Sequence, residues 1–387
     1  MKQGSLPYGR QTIEDDDVAA VTEALRSDYL TTGPKVVEFE ERFAETVGAA
    51  HAVACSNGTA TLHLSMLALD IGPGDVCVVP SMTFLATANC AAYVGADVVF
   101  ADVDPDTGLM TPETLRDALG EARGRRVRAV LPVHLRGEVC NLPALRDLAE
   151  DAGAALVEDA PHALGSRTLF NGHAGQVGDG RHGVLASFSF HPVKTIATGE
   201  GGMLTTNDGD LAERLRRFRS HGMSRPPGSE PWVYEMEQPG FNYRLPDIAC
   251  ALGLSQLAKL PRFAERRRRL AALYREALAP LAPLVALPPP MPWSDPVPHL
   301  LVALIAFETA GVSRREVMES LAAQGVGSQV HYIPVHTQPY WRTRNGERSL
   351  PGAEAWYRHC LSLPLFPAME DGDVARVADA LRSALRL

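Results

Sequence analysis

Five short segments bring together residue types that can do chemistry. In "SNGTAT" (56–61) an apolar run ends, the chain turns at Gly58 and a helix begins at Thr59. Free backbone N–H groups at such a start, together with the helix dipole, attract an anion. Thr59 adds a hydroxyl donor. In "EDAPHALG" (158–165), Glu158 and Asp159 close an apolar strand, and His162 follows close behind. A carboxylate at that edge of an open α/β sheet lies where ligands bind and can pair with a protonated ring nitrogen. In "SFSFHPVKTIATGEGG" (187–202) a strand runs into Lys194 and then a Gly-rich turn. A desolvated lysine at such a corner can act as a Schiff-base nucleophile. Ser189, just upstream, can bond the same anion as Thr59. In "GFNYRLPDIACALGLSQL" (240–257), Asn242 and Arg244 precede a helix rich in small residues, suited to close packing at a subunit interface. In "PSMTFLATAN" (80–89), Phe84 follows a strand end and can lie flat on an aromatic ligand.

Each segment also has an ordinary reading: a capped helix start, a capping aspartate, a solvated loop lysine, a polar loop, a core phenylalanine. Other features carry no chemistry. "RRRR" (266–269) lies within a long helical stretch and reads as a solvated face. The histidines at 173, 182, 191 and 221 lack metal-ligand spacing, so no metal is expected. The six cysteines are far apart and show no CxxC pair, which argues against a zinc site or a disulfide framework.

The elements that must position these residues follow a clear rhythm. A helix is expected over 14–28 and a second over about 36–47. Short apolar strands are then expected at 51–56, 76–81, 97–104, 127–135 and 154–160. They alternate with helices at 58–69, 83–95, 112–120 and 142–153. That alternation predicts an α/β fold with a mostly parallel sheet covered on both faces. Strands at 183–191 and 201–208 are joined by a Gly-rich loop without a helix, which points to an antiparallel departure. A helix is expected at about 209–220 and a long one from about 246 to 279. The tail predicts strands at 299–307 and 327–335, a Ser-capped helix at 313–325 and a last helix from near Asp371. The division expected is a large domain, 1–245, and a small C-terminal α+β unit with its linking helix, 246–387.

Composition narrows the class. The chain has 387 residues, 37 basic and 46 acidic, for a net charge of −9. A net-acidic chain with no large basic face is a poor nucleic-acid binder. No apolar run is long enough to span a membrane, and the first residues show no signal-peptide core, so a cytoplasmic enzyme is expected.

Taken in order, "SNGTATL", "PSMTFLATAN", "VEDAPHALGS", "SFHPVKTIATGEGGMLTTND", "FRSHGM" and "GFNYRLPDIACALGLSQL" resemble the DegT/DnrJ/StrS sugar aminotransferases. These are pyridoxal 5'-phosphate (PLP) enzymes of the aspartate-aminotransferase fold, fold type I, with a seven-stranded sheet. The resemblance covers nearly the whole chain. The opening "LPYGRQTIEDDDVAAVTEALRSDYLTTGPKVVEFE", with "SFHPVK", "FRSHGM" and "GSQVHYIPV", looks most like the UDP-4-amino-4,6-dideoxy-N-acetyl-β-L-altrosamine transaminases of pseudaminic acid synthesis. The resemblance implies transfer of an amino group from L-glutamate to the C4 keto group of a UDP-linked sugar. It implies that Lys194 joins the cofactor covalently and that Asp159 pairs with its ring nitrogen. Phe84 would stack on the ring, and His162 would lie near its hydroxyl. Gly58, Thr59, Ala60 and Ser189 would hold the phosphate, with Asn242 reaching it from the second subunit of a homodimer. Sugar contacts would fall on Leu6 and Tyr8, on Ser27, Asp28, Tyr29 and Leu30, on Arg244, and on Gln329, Val330, His331 and Tyr332.

Two segments depart from the family pattern, "HLRGEVCNL" (134–142) and "FNGHAGQVGDGRHG" (170–183), and both are expected to alter the sugar pocket. Three rival readings are weaker. A sugar dehydratase of the same family typically replaces the lysine with histidine. A non-catalytic regulator need not keep Lys194, Asp159, Thr59 and Asn242 together. A nicotinamide-dependent enzyme would carry GxGxxG after its first strand.

Overall fold

The computed structural model describes residues 4–170 and 172–387. Seven strands build the main sheet. They are β1 (His51–Cys55), β2 (Asp75–Pro80), β3 (Asp97–Ala101), β4 (Arg126–Val130) and β5 (Ala155–Asp159), then, past a hairpin of β6 (Arg167–Phe170) and β7 (His173–Gln176), β8 (Leu185–Ser189) and β9 (Gly202–Thr206). The spatial order is β1-β9-β8-β5-β4-β2-β3. β9 runs antiparallel to both its neighbours, and the remaining pairs are parallel. The reversal follows from the 190–201 connection, which has no crossover helix, so the chain turns straight back. Strands such as "DVCVVP" are buried along their whole length, because helices cover both faces of the sheet.

Helix boundaries follow local chemistry. Helix Asp15–Arg26 opens with a capping box between Glu14 and Asp17 and an acidic first turn. Helix Pro34–Val47 starts at a proline and ends at Gly48, in the left-handed region. Helix Gly58–Ala68 is capped by Asn57, whose side chain accepts the Ala60 N–H at 2.8 Å. The single helix expected over 246–279 is two, Asp247–Ala258 and Leu260–Leu278, which meet at Lys259. Pro261 explains the break: it lacks a donor and suits the first turn of a new helix.

Beyond a two-residue ribbon of β10 (Met223–Ser224) and β11 (Glu235–Met236), the tail forms a three-stranded sheet. Its members are β12 (Val285–Ala286), β14 (Leu301–Ile305) and β15 (Cys360–Leu363), while β13 (Ser294–Asp295) joins β6. The strand expected at 327–335 is absent. That stretch makes only one isolated bridge, Gln329 to Ser362. Its donors go elsewhere: Tyr332 N–H faces Met82 Sδ at 3.2 Å and Val335 N–H bonds Ser81 O at 2.9 Å. The segment lies against the loop after β2, and β15 takes the ladder. Two buried clusters result. One gathers Phe39, Phe43, Phe188 and Phe190 around the large sheet; the other gathers Leu270, Tyr274, Ile305, Val317 and Leu381 around the small one.

Candidate active site

The C-terminal ends of β2, β4, β5 and β8 open onto one cavity of about 1110 Å³. Parallel strands deliver different residues to a common edge, which is where α/β sheets bind ligands. Thr83, Phe84 and Thr87 follow β2, and Val133 follows β4. Asp159 ends β5, with His162 just beyond it. Ser189 ends β8 and Lys194 follows. The helix start at Asn57–Ala60 lines the same space. Tyr8, His299 and the 329–333 segment complete it from the N-terminus and the tail.

Asp159 is buried, and its two carboxylate oxygens differ. Oδ2 accepts the Thr87 hydroxyl at 2.5 Å; Oδ1 has no partner among the described residues. Burial pushes its pKa up, while the Thr87 bond and the nearby Lys194 pull it back. A buried acceptor left open in this way calls for an N–H donor from a ligand.

Lys194 is partly covered, and its open part faces the cavity. Burial lowers its pKa from 10.5 to about 8, against the opposing pull of Asp159. A substantial neutral fraction therefore exists near pH 8, which a nucleophilic amine requires.

The helix start at Gly58 forms a third feature. Asn57 occupies the Ala60 N–H, so the N–H groups of Gly58 and Thr59 remain, with no protein acceptor among the described residues. A Cβ at position 58 would meet Ser189 Cβ at 2.8 Å, so only glycine lets the helix start lie this close to the end of β8. The Thr59 and Ser189 hydroxyls line the same cavity.

Much of the remaining wall is aromatic. His162 stacks on His299 with ring centroids 4.4 Å apart and shares a 3.2 Å hydrogen bond with the Tyr332 hydroxyl. Burial, with Lys194 nearby, holds His162 well below its ordinary pKa and His331 down to about 3. Burial also pulls His299 down and pushes Tyr8 and Tyr332 up. Phe84 is 57% exposed and faces the cavity, with Tyr332 6.1 Å away.

An anion cradle, an open carboxylate oxygen and a desolvated amine thus share one cavity. PLP presents a phosphate, a protonatable ring nitrogen and an aldehyde, so these residues fit it. Among the described residues there is no group of three His, Cys, Asp or Glu that could hold a metal.

Thirteen expected residues line the cavity: Tyr8, Gly58, Thr59, Ala60, Phe84, Asp159, His162, Ser189, Lys194, Gln329, Val330, His331 and Tyr332. Others do not. Leu6 is buried and bridged to Val326. Ser27, Asp28, Tyr29, Leu30 and Asn242 are exposed and Arg244 is half-buried, all away from this chain's own cavity. The two departures from the family pattern were expected in the sugar pocket; no described residue of either lines the cavity. Arg136 is buried over the Trp356 ring with its Nη2 toward Thr107 O, and residues 173–176 form β7, which pairs with β6, against which β13 also pairs. Residues that the sequence did not single out are Thr87, His299, Tyr243 and Glu200.

A family model described as the DegT/DnrJ/EryC1/StrS aminotransferase family matches residues 11–382. The chain is 39% identical over 391 residues to the spore coat polysaccharide biosynthesis protein SpsC of Bacillus subtilis strain 168, covering 98% of this chain and 97% of the relative. Helicobacter pylori PseC, described as an aminotransferase involved in the biosynthesis of pseudoaminic acid, superposes with a TM-score of 0.90 at 28% identity, covering 99% of each chain. DesI, solved in the presence of its TDP-sugar product, superposes with a TM-score of 0.87 at 35% identity, covering 100% of this chain and 94% of DesI.

Proposed function

The chain belongs to the DegT/DnrJ/EryC1/StrS aminotransferase family of PLP-dependent sugar aminotransferases, and from that membership we propose that it moves the amino group of L-glutamate to the C4 keto carbon of a UDP-linked 4-keto-6-deoxy-N-acetylhexosamine. The observation that carries this reading is the convergence of Lys194, Asp159 and the Gly58 helix start on one cavity. The likeness to PseC over the whole chain supports the sugar class. The protein works in the cytoplasm as a homodimer, and the exposed Asn242 completes the phosphate cradle of the second copy.

Bound PLP supplies an electrophilic carbon and a ring that accepts electrons from the donor's α-carbon. The rest is the work of the chain. The Gly58 and Thr59 N–H groups and the Thr59 and Ser189 hydroxyls would hold the phosphate. Asp159 Oδ1 would hold the proton of the ring nitrogen, with its charge kept by Thr87. Phe84 would cover the ring and His162 would orient it. Lys194 Nζ would take the proton released from the donor α-carbon, as general base, and then deliver it two bonds away, past the amino nitrogen, as general acid.

A second reading has its own support. The chain shares 35% of its residues with DesI, against 28% with PseC. On that reading the sugar is carried by TDP. A panel of UDP- and TDP-linked keto sugars with glutamate, read by mass spectrometry of the aminated product and by 2-oxoglutarate release, separates the two. Amination of the UDP-linked 4-keto sugar is the expected result. Turnover only with TDP sugars overturns the first reading, and no 2-oxoglutarate with any sugar overturns both.

A further inference from the structure

Glu158 is a buried carboxylate one residue before Asp159, and the mechanism does not use it. It is 2% exposed, does not line the cavity, and among the described residues has no lysine or arginine within ion-pairing distance. Its partners are two N–H donors. Gly183 N–H bonds Oε1 at 3.2 Å, and His134 Nε2 lies 3.1 Å from Oε2. His134 is fully buried, and its other nitrogen, Nδ1, accepts the Cys140 N–H at 3.3 Å. A nitrogen that accepts a backbone N–H carries no proton. The ring hydrogen therefore sits on Nε2 and points at Glu158.

This pair is tied to the backbone of Asp159 from both sides. His134 N–H donates to Asp159 O at 3.1 Å, and Asp159 N–H donates to Pro132 O at 2.9 Å. Between them Val133 forms a parallel bridge with Asp159 and lines the cavity. Locking the His134 ring therefore locks the 132–134 segment, and that segment fixes where the Asp159 side chain leaves the sheet. We propose that Glu158 and His134 are positioning residues, a buried carboxylate–imidazole brace that aims Asp159 at the cofactor.

The brace explains a carboxylate rather than an amide at 158. Glutamine would turn an NH₂ toward Gly183 N–H or toward His134 Nε2. Moving the His134 proton to Nδ1 to escape would set it against the Cys140 N–H. Every arrangement of Glu158→Gln therefore opposes two donors.

The inference rests on the proposed role of Asp159, so its test includes Asp159→Asn as a control. The enzyme is loaded with PLP, and the pH midpoint of the cofactor's visible absorption band is measured alongside kcat, KM and melting temperature. Glu158→Gln and His134→Ala should raise the band midpoint, because a ring nitrogen that loses its proton removes a positive charge beside the titrating group. They should lower kcat about tenfold with the glutamate KM nearly unchanged, as for other supporting partners of a ligand-holding residue. His134→Gln, which restores a donor near the Nε2 position, should recover part of both. If Glu158→Gln fails to fold, the two His134 variants carry the comparison. An unmoved band midpoint in these variants, with a shifted one in Asp159→Asn, overturns the brace and spares the site. An Asp159→Asn enzyme with wild-type band and rate overturns the role of Asp159 itself.

Discussion

Thr87 Oγ1 donates to Asp159 Oδ2 at 2.5 Å and is itself 2.7 Å from Thr83 Oγ1. With the Thr87 proton committed to the carboxylate, Thr83 must donate to Thr87. The two hydroxyls form a short chain that ends on one oxygen and leaves Oδ1 open. A hydrogen bond to an ionised group contributes about 1.5–3 kcal/mol. Thr87→Val therefore weakens the charge on Asp159 without touching its geometry. Turnover should fall roughly tenfold, and Asp159→Asn should fall further. Equal rates for Thr87→Val and wild type in steady-state assays would show that Thr87 does not tune the carboxylate.

Lys194 makes a separate prediction for the PLP-free chain. Its folded pKa, about 8, lies below the unfolded value of 10.5. The charged amine therefore opposes folding fully below pH 8, and the penalty fades as pH rises from 8 to 10.5. The cost at neutral pH is at most ~3 kcal/mol. Lys194→Met should melt above the wild-type apoprotein at pH 7, and the gap should close toward pH 10.5. The same variant should show no turnover at any pH. A gap that stays constant between pH 7 and 10.5 would contradict the lowered amine.

The α/β rhythm and the Lys194, Asp159 and Gly58 motifs were legible because each is local. A strand end, a turn and a helix start are written in consecutive residues. Thr87 was not legible, because its partner lies 72 residues away and a threonine inside "TFLATAN" looks like any helical threonine. His299 was hidden for the same reason: its stacking on His162 joins residues 137 positions apart in the chain. The 327–335 segment misled because "SQVHYIPV" has strand composition, yet its donors bond Met82 and Ser81 in the loop after β2. Arg136 stood out because 134–142 departs from the family pattern, yet it lies buried over the Trp356 ring, with a backbone φ of 67°.

Gly58 tests the phosphate cradle. Gly58→Ala puts a methyl 2.8 Å from Ser189 Cβ, closer than such atoms pack, so the helix start must retreat from β8. PLP affinity should drop at least about tenfold, since a displaced N–H pair no longer meets the anion. Ser189→Gly removes the obstructing Cβ but also a hydroxyl. The double variant should therefore bind PLP better than Gly58→Ala alone, a coupling that equilibrium fluorescence titration can read. Strictly additive losses would mean that the two residues act independently and that the close approach does not shape the site.

The last prediction concerns how the N-terminal helix is held. Lys259 Nζ lies 2.5 Å from Asp16 Oδ1 and 2.8 Å from Asp17 Oδ1 at the junction of two helices, and its side chain is nearly buried. Burial raises the pKa of Asp17, but bonds from Lys259 and Ser255 and from the Glu14 backbone outweigh it, and the net shift is downward. A depressed carboxylate contributes stability above its unfolded pKa and loses it as pH falls through the folded value. Lys259→Met leaves Asp17 buried with its charge uncompensated, at a cost of about 3 kcal/mol. The variant should melt earlier than wild type at pH 7, and the difference should shrink as pH falls through the depressed wild-type pKa of Asp17, below the ordinary carboxylate range. The helix so held, Asp15–Arg26, runs directly into Ser27–Leu30, an exposed segment that we propose contacts the sugar. Loosening it should raise the KM for the keto sugar more than the KM for glutamate. Equal effects on both substrates would separate the helix from sugar recognition, and an unchanged melting temperature would show that Lys259 does not brace it.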